Sequence, residues 1–185
     1  IQQELTKYIS KALGYDLPQK TEFKTRFHLL DTLVSILTGR LLPPGKKAFQ
    51  FSKAQGGVKE STLLGSDIKV SAINAGFSNG MAAHANETDD STTEGRFHPG
   101  CAIVPATLAV AEREKLGSEE ILKAIALGYD VGVRITTSLG YKTPKTSIFA
   151  THSIGPIFGC AASAGSLLKL THEQCNYLLS LSLIH

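Results

Sequence analysis

Small residues recur every three or four positions in two stretches of the sequence, and this spacing limits the possible fold more than any other feature. In the first stretch Ala124, Gly128 and Gly132 lie four apart, so on a helix they form one smooth face. The second stretch, about residues 152–168, has small residues at Gly155, Gly159, Ala162 and Gly165. Two such helices can pack with their backbones close together. The pattern therefore predicts long buried helices.

Other segments show the helical spacing of apolar residues. A helix that ends near Gly39 is predicted by a row with spacings of four and three, made up of Phe23, Phe27, Leu30, Val34 and Leu37. Helix starts are indicated by Ser71, by Ser118 before two acids, and by Thr171 in a capping box. Residues 61–70 are predicted as a small β-hairpin. We therefore expect an all-α fold, a helical bundle of about seven to eight helices with one small β-hairpin.

The composition restricts the class of protein. Apolar residues make up 42% of the chain and charged residues 19%, values typical of a globular domain. The net charge of +3 is dispersed, which argues against nucleic-acid binding, and no long apolar run predicts a membrane span. Cysteines at 101, 160 and 175 show no zinc, iron–sulfur or disulfide spacing. Free thiols favour a reducing compartment, the cytoplasm or an organelle matrix.

Titratable residues are concentrated between His84 and His98, where four acids and two histidines fall within fifteen positions. His84 and Glu87 are three apart and would share a helix face, so a carboxylate could orient or tune a histidine. Asp89 and Asp90 are equally well explained as loop solvation or as caps of the next helix. A metal held by His84, Glu87, Asp90 and His98 is conceivable. No known ligand spacing supports it, so we expect none.

Two histidines precede or open predicted helices. His98 stands before Pro99-Gly100, and His152 opens the second small-residue helix. A helix start presents free N–H groups and a positive dipole end, which can bind a carboxylate and favours the neutral imidazole that a general base requires. Capping or structural burial explains either histidine without chemistry. Arg134 could bind a carboxylate or pair with Asp130, four residues before it. His28 and His172 are predicted to be structural or exposed.

The chain resembles the MmgE/PrpD family, which includes 2-methylcitrate dehydratases, cis-aconitate decarboxylases and iminodisuccinate epimerases. The resemblance covers essentially the whole chain, and the order and spacing of its blocks make it specific. These blocks are Leu29-Leu30-Asp31-Thr32-Leu33, Asn79-Gly80-Met81-Ala82-Ala83-His84-Ala85 with Glu87-Thr88-Asp89-Asp90, His98-Pro99-Gly100 with Val104-Pro105-Ala106, Gly128-Tyr129-Asp130-Val131-Gly132-Val133-Arg134, and Thr151-His152-Ser153-Ile154-Gly155.

The resemblance implies a helical domain joined to a smaller α/β lid domain, usually in a homodimer. Family chains are considerably longer, so residues 1–185 would be the N-terminal part of the helical domain. The absence of an initiator Met and the apolar residues 178–184 also lead us to expect that the chain continues. The family's further lysine and tyrosine contacts would then lie beyond residue 185.

The resemblance also implies site residues and chemistry. It places catalytic groups at Glu87, His98 and His152, and substrate contacts at Ser91, Asp90 and His84, with no cofactor or metal. The expected reaction is proton abstraction next to a carboxylate of a small di- or tricarboxylate, as in a dehydratase acting on a 2-methylcitrate-like substrate. An epimerase or a cis-aconitate-type decarboxylase is the alternative. A non-catalytic helical assembly module is the alternative from another class.

Overall fold

The computed structural model describes residues 1–140 and 150–182. Within these ranges the chain forms eight α-helices and one two-stranded antiparallel sheet, which confirms the predicted all-α fold with a small hairpin. The elements are α1 (Gln2–Lys11), a 3-10 turn (Ala12–Gly14), α2 (Gln19–Gly39), α3 (Pro43–Gln55), β1 (Ser61–Thr62), β2 (Lys69–Val70), α4 (Ala72–Ala83), α5 (Gly100–Arg113), α6 (Ser118–Ser138), α7 (Thr151–Leu167) and α8 (His172–Leu181). Gly140 and Pro144 in the sequence predict a loop after α6, and Pro144 lies outside the described residues.

The two small-residue helices are α6 and α7, and they pack against each other through those residues. A Cβ on Gly132 would lie 2.8 Å from the carbonyl oxygen of Gly155, and one on Gly159 would lie 2.8 Å from that of Gly128. The Ser163 hydroxyl donates to the Ala124 carbonyl oxygen across the same interface, at 2.7 Å. The backbones approach so closely that any larger side chain at these positions must move one helix, as the spacing predicts.

Two apolar clusters involve the largest sets of buried side chains. The first joins α1, α6, α7 and α8 through buried side chains, namely Ile9, Leu127, Val131, Phe158, Ala162, Cys175 and Leu179. The second joins the hairpin to α4 and α5 through Leu63, Val70, Ala72, Ala75 and Ala109. The buried Asn79 side chain ties the hairpin to α4, since its amide donates to the Thr62 carbonyl and accepts from the Leu64 N–H, both at 3.0 Å. The hairpin thus packs against α4 and α5.

Helix α2 forms where its apolar row predicts, but that row faces away from the core. The side chains Phe23, Phe27, Leu30, Val34 and Leu37 are between 51% and 62% exposed. The buried face of α2 carries instead mainly small and polar residues, Thr25, Thr32, Ser35, Ile36 and Gly39. Small residues suit close contact with α4, where a Cβ on Gly39 would overlap the Ala82 carbonyl oxygen. The row of large residues therefore remains available to a partner surface.

The predicted helix starts are confirmed at all three positions, and the predicted side-chain caps at two of them. The Ser71 hydroxyl accepts from the Asn74 N–H at 3.3 Å, and Thr171 forms the full capping box with Gln174. The predicted Ser118 cap is wrong, because α6 already begins at Ser118 and Gly117 takes the capping position without a side-chain bond. None of the helices in the described ranges has the length and apolar character needed to cross a membrane.

Candidate active site

The residues between α4 and α5 form a loop that brings two histidines onto one buried carboxylate. The Asp89 side chain is fully buried, and its Oδ1 lies 3.0 Å from Nδ1 of His84. Its Oδ2 lies 3.5 Å from Nδ1 of His98. The two imidazole rings are 4.9 Å apart between centroids and are tilted relative to each other. His84, Asp89 and His98, called here the His–Asp–His cluster, are the titratable centre of the loop.

The hydrogen bonding of the cluster determines which imidazole nitrogen is available for chemistry. A carboxylate only accepts hydrogen bonds, so a proton on Nδ1 of His84 is the arrangement that satisfies Asp89. Neutral His84 then has an unprotonated Nε2, the form that can accept a proton. Nδ1 of His98 is buried and has no hydrogen-bond partner among the described residues, although Asp89 is within ion-pair distance. A small rotation would let Asp89 serve both rings.

The glycines of α6 and α7 help to place His98. The residue before it, Phe97, is 1% exposed, and its ring occupies the space left by Gly132 and Gly155. A Cβ on Gly155 would lie 2.7 Å from that ring. The Phe97 carbonyl also accepts from the Thr92 N–H at 3.0 Å, which closes the loop on itself. Packing between the two long helices thus fixes the backbone that carries His98.

Asp90 has a different role from its neighbour Asp89. It accepts hydrogen bonds from the Gly100 N–H at 2.8 Å, the Tyr129 hydroxyl at 2.8 Å and Nδ1 of His28 at 2.5 Å. Burial alone would raise the pKa of Asp90, but these hydrogen bonds outweigh it and hold the pKa below its usual value. Burial and the adjacent Asp90 charge raise the pKa of the Tyr129 hydroxyl, which stays protonated. Asp90 is therefore an ionised cap at the start of α5.

This cap corrects one expectation from the sequence. The sequence predicts that the start of α5 binds a substrate carboxylate, but the first N–H of the helix, that of Gly100, already donates to Asp90. Gly100 is needed for this contact, because a Cβ there would lie 2.6 Å from Asp90 Oδ1 and 2.5 Å from Thr32 Oγ1. The positive end of α5 is thus neutralised within the protein itself.

Cys101 lies near the cluster, on the first turn of α5. Its thiol donates to the His98 carbonyl oxygen at 3.2 Å. Burial and the negative charge of Asp89 raise the pKa of the Cys101 thiol far above its ordinary value. The thiol therefore stays protonated and packs as a small apolar group, since only a thiolate is an effective nucleophile.

The remaining predicted site residues lie at the surface around the cluster. Glu87 and Ser91 are exposed, and Glu87 has a positive φ of 52° in the tight turn after His84. His152 is exposed on the first turn of α7. The neighbouring Thr151 hydroxyl donates to the Arg96 carbonyl at 2.6 Å, which ties the start of α7 to the loop two residues before His98. Within the described ranges, the side chains of Glu87, Ser91 and His152 form no hydrogen bond or ion pair with Asp89.

Sequence reasoning missed the central position of Asp89. The sequence predicts instead that Glu87 orients His84, because residues three apart share a helix face. Helix α4 ends at Ala83, however, so the helical spacing does not extend to Glu87. The chain turns instead and brings Asp89, five residues after His84, back onto the imidazole. Arg134 pairs with Asp130 at 2.7 Å, in agreement with the simpler of its two interpretations.

The structure is thus an all-helical domain that carries a buried carboxylate between two histidines at the junction of α4 and α5. The comparison with family models then identifies the family: residues 3–185 match the MmgE/PrpD N-terminal domain, and the chain belongs to the MmgE/PrpD family. This confirms the resemblance noted in the sequence.

Two relatives share one name, cis-aconitate decarboxylase. The chain is 29% identical over 162 residues to cis-aconitate decarboxylase of Homo sapiens, which covers 85% of this chain and 34% of the relative. It is 28% identical over 144 residues to cis-aconitate decarboxylase of Mus musculus, covering 75% of this chain and 29% of the relative. The chain thus spans about a third of the length of the relatives it matches.

Proposed function

We propose that this protein is an enzyme that moves a proton at a carbon next to a carboxylate of a small di- or tricarboxylate. The observation that supports this most strongly is the fully buried Asp89 between Nδ1 of His84 and Nδ1 of His98. A carboxylate that holds Nδ1–H of an imidazole fixes the tautomer whose Nε2 can accept a proton. Membership of a family with enzymatic members supports the same conclusion.

His98 is the proton-transfer group that we propose. As it takes a proton from carbon, its imidazolium would be stabilised by Asp89, whose Oδ2 is 3.5 Å from Nδ1. His152 is the second candidate, at the start of the helix that Thr151 ties to the same loop. Glu87 and Ser91 are exposed beside the cluster and would contact the substrate, with Glu87 matching charge on a histidine.

Dehydration of a 2-methylcitrate-like substrate is the reaction that we propose first. The base takes the carbon-bound proton and the hydroxyl group leaves with a proton as water. Decarboxylation is the second candidate, because both relatives are named cis-aconitate decarboxylase. There carbon dioxide leaves and a histidine returns a proton to carbon, so the same side chain acts as the acid. Epimerisation, the third possibility, removes and returns a proton at one carbon.

These reactions are distinguished by assaying the full-length protein with 2-methylcitrate, cis-aconitate and iminodisuccinate in D2O, with products followed by proton NMR. We expect one of the three compounds to be turned over. Its product should either carry deuterium at a single carbon next to a carboxylate or have lost the proton at that carbon. Lack of turnover and of exchange with all three compounds would contradict the proposed enzyme. The non-catalytic assembly module would then be the better account.

For the protein partner, we propose a second copy of this chain on the exposed face of α2. The spacing of four and three from Phe23 through Leu37 to Leu41 is typical of a coiled-coil seam. Six half-exposed apolar side chains offer on the order of 600 Å², against ~800 Å² per partner in standard interfaces. Sedimentation velocity should show a dimer that Leu30→Glu dissociates and the equally exposed control Val58→Glu does not. A monomeric parent protein would contradict this.

The cytoplasmic or organelle-matrix location stays a prediction.

A further inference from the structure

We propose that the His–Asp–His cluster binds a divalent transition metal ion of the Zn²⁺ class, which blocks proton transfer by occupying the imidazole nitrogens and the Asp89 oxygen that hold the imidazoles in their reactive tautomer. Binding itself follows from the geometry of the cluster. The inhibitory consequence rests on the proposed function, because it requires that His98 move a proton during turnover.

The donor atoms are close enough to share one ion. One nitrogen from each imidazole and one oxygen of Asp89 all lie within 4.8 Å of one another. The two nitrogen–oxygen separations through Nδ1 are 3.0 Å and 3.5 Å. Zinc bonds of about 2.0–2.2 Å to nitrogen and oxygen place neighbouring tetrahedral donors roughly 3.3 Å apart. The cluster therefore needs only small side-chain rotations to reach that geometry.

Burial and exposure within the cluster also suit an ion that arrives from solvent. The Asp89 side chain is completely buried, whereas those of His84 and His98 are 43% and 27% exposed. The ion can thus approach past the imidazoles and keep open coordination positions for water, as three-ligand zinc sites do. The buried Nδ1 of His98, without a hydrogen-bond partner in the described part of the chain, would coordinate the ion through its lone pair.

The donor set selects the class of metal. Two imidazole nitrogens and one carboxylate oxygen favour Zn²⁺, Co²⁺, Ni²⁺ or Cu²⁺ over Mg²⁺ and Ca²⁺, which prefer all-oxygen sites. This set of donors differs from the set that the sequence suggested. Asp89 takes the place of Glu87, which is exposed, and of Asp90, whose oxygens are engaged by Gly100, Tyr129 and His28.

A bound ion would compete directly with proton transfer. Coordination through Nδ1 leaves the imidazole proton on Nε2, the nitrogen that a base needs unprotonated, and it draws the Asp89 charge away from the imidazolium. The ion would therefore act as a reversible inhibitor of the proposed reaction. Chelation would restore the activity.

The binding test uses Co²⁺ alone, titrated into the protein and followed by its visible absorption, with Zn²⁺ added as a competitor. We expect one ion per chain, and weakening of Co²⁺ affinity by at least about tenfold in His84→Gln and in Asp89→Asn. Glu87→Gln and His172→Gln are the matched controls and should bind as the parent does. Circular dichroism checks that each variant is folded. Parent-like affinity in His84→Gln, or the absence of any Co²⁺ spectrum at millimolar concentration, would overturn the site.

Turnover is then measured on the full-length protein with and without Zn²⁺. Loss of activity that a chelator reverses, and that follows the same concentration range as Co²⁺ binding, is the expected result. Unchanged turnover at Zn²⁺ concentrations that fill the cluster would overturn the inhibitory role. A protein that binds Co²⁺ through the cluster and turns over none of the three substrates would leave the metal site standing and refute the proposed function alone.

Discussion

Replacing Asp89 by asparagine is expected to lower kcat of the full-length enzyme by about a hundredfold or more. The substitution would keep the volume of the buried side chain but would present an amide where Nδ1 of His84 and Nδ1 of His98 face a carboxylate. The amide cannot stabilise an imidazolium as a charge does, and its NH2 group favours the wrong imidazole tautomer. Steady-state kinetics across pH measure the effect, and circular dichroism shows whether the variant is folded.

Glu87→Gln is the matched control for that experiment. Both substitutions neutralise one acid of the same loop. Glu87, however, is exposed, and within the described ranges its side chain forms no hydrogen bond or ion pair with the two histidines. We expect the effect on kcat to be at least about tenfold smaller for Glu87→Gln than for Asp89→Asn. A larger effect at Glu87 would restore the assignment made from sequence spacing and remove Asp89 from the proposed mechanism.

Gly128→Ala is expected to lower the free energy of unfolding by about 2–3 kcal/mol. The added methyl group would overlap the Ser163 hydroxyl and lie 2.6 Å from Cγ2 of Ile103 and 3.0 Å from the Gly159 carbonyl oxygen. Helices α6 and α7 must separate to accept it, although alanine by itself favours a helix. Urea denaturation followed by circular dichroism measures the change through the midpoint.

The control for this substitution is Gly14→Ala in the 3-10 turn. A Cβ at Gly14 would meet nothing within 4 Å, so the same chemical change adds no overlap there. The midpoint of Gly14→Ala should stay close to that of the parent. Equal midpoints for the two variants would show that α6 and α7 do not pack through their small residues.

The features that the sequence predicted well are local ones. The four-residue spacing of Gly128 and Gly132 determines how closely two helices can approach, and the Thr171 capping box depends on four consecutive residues. Both the spacing and the box act over one or two turns of chain. The matching elements in the structure therefore follow directly from helix geometry.

The features that the sequence did not predict depend on tertiary contacts. Which face of α2 is buried is decided by close contact with α4 at Gly39, and this contact favours small residues over the apolar row. The pairing of Asp89 with His84 depends on a loop that turns back after α4, where no periodicity applies. The hydrogen bonds that hold Asp90 come from α2, α5 and α6, which no local pattern brings together.

The central claim is that a histidine beside this loop moves the proton, and turnover of the His98→Gln and His152→Gln variants tests it most directly. The measurement is kcat of the full-length protein with its best substrate, together with deuterium exchange at the reacting carbon. His172→Gln on α8 serves as the control. We expect His98→Gln to lose about a hundredfold or more in both quantities, and His152→Gln to lose a similar amount if it is the second proton-transfer group. Near-parent turnover and exchange in both variants would contradict the account.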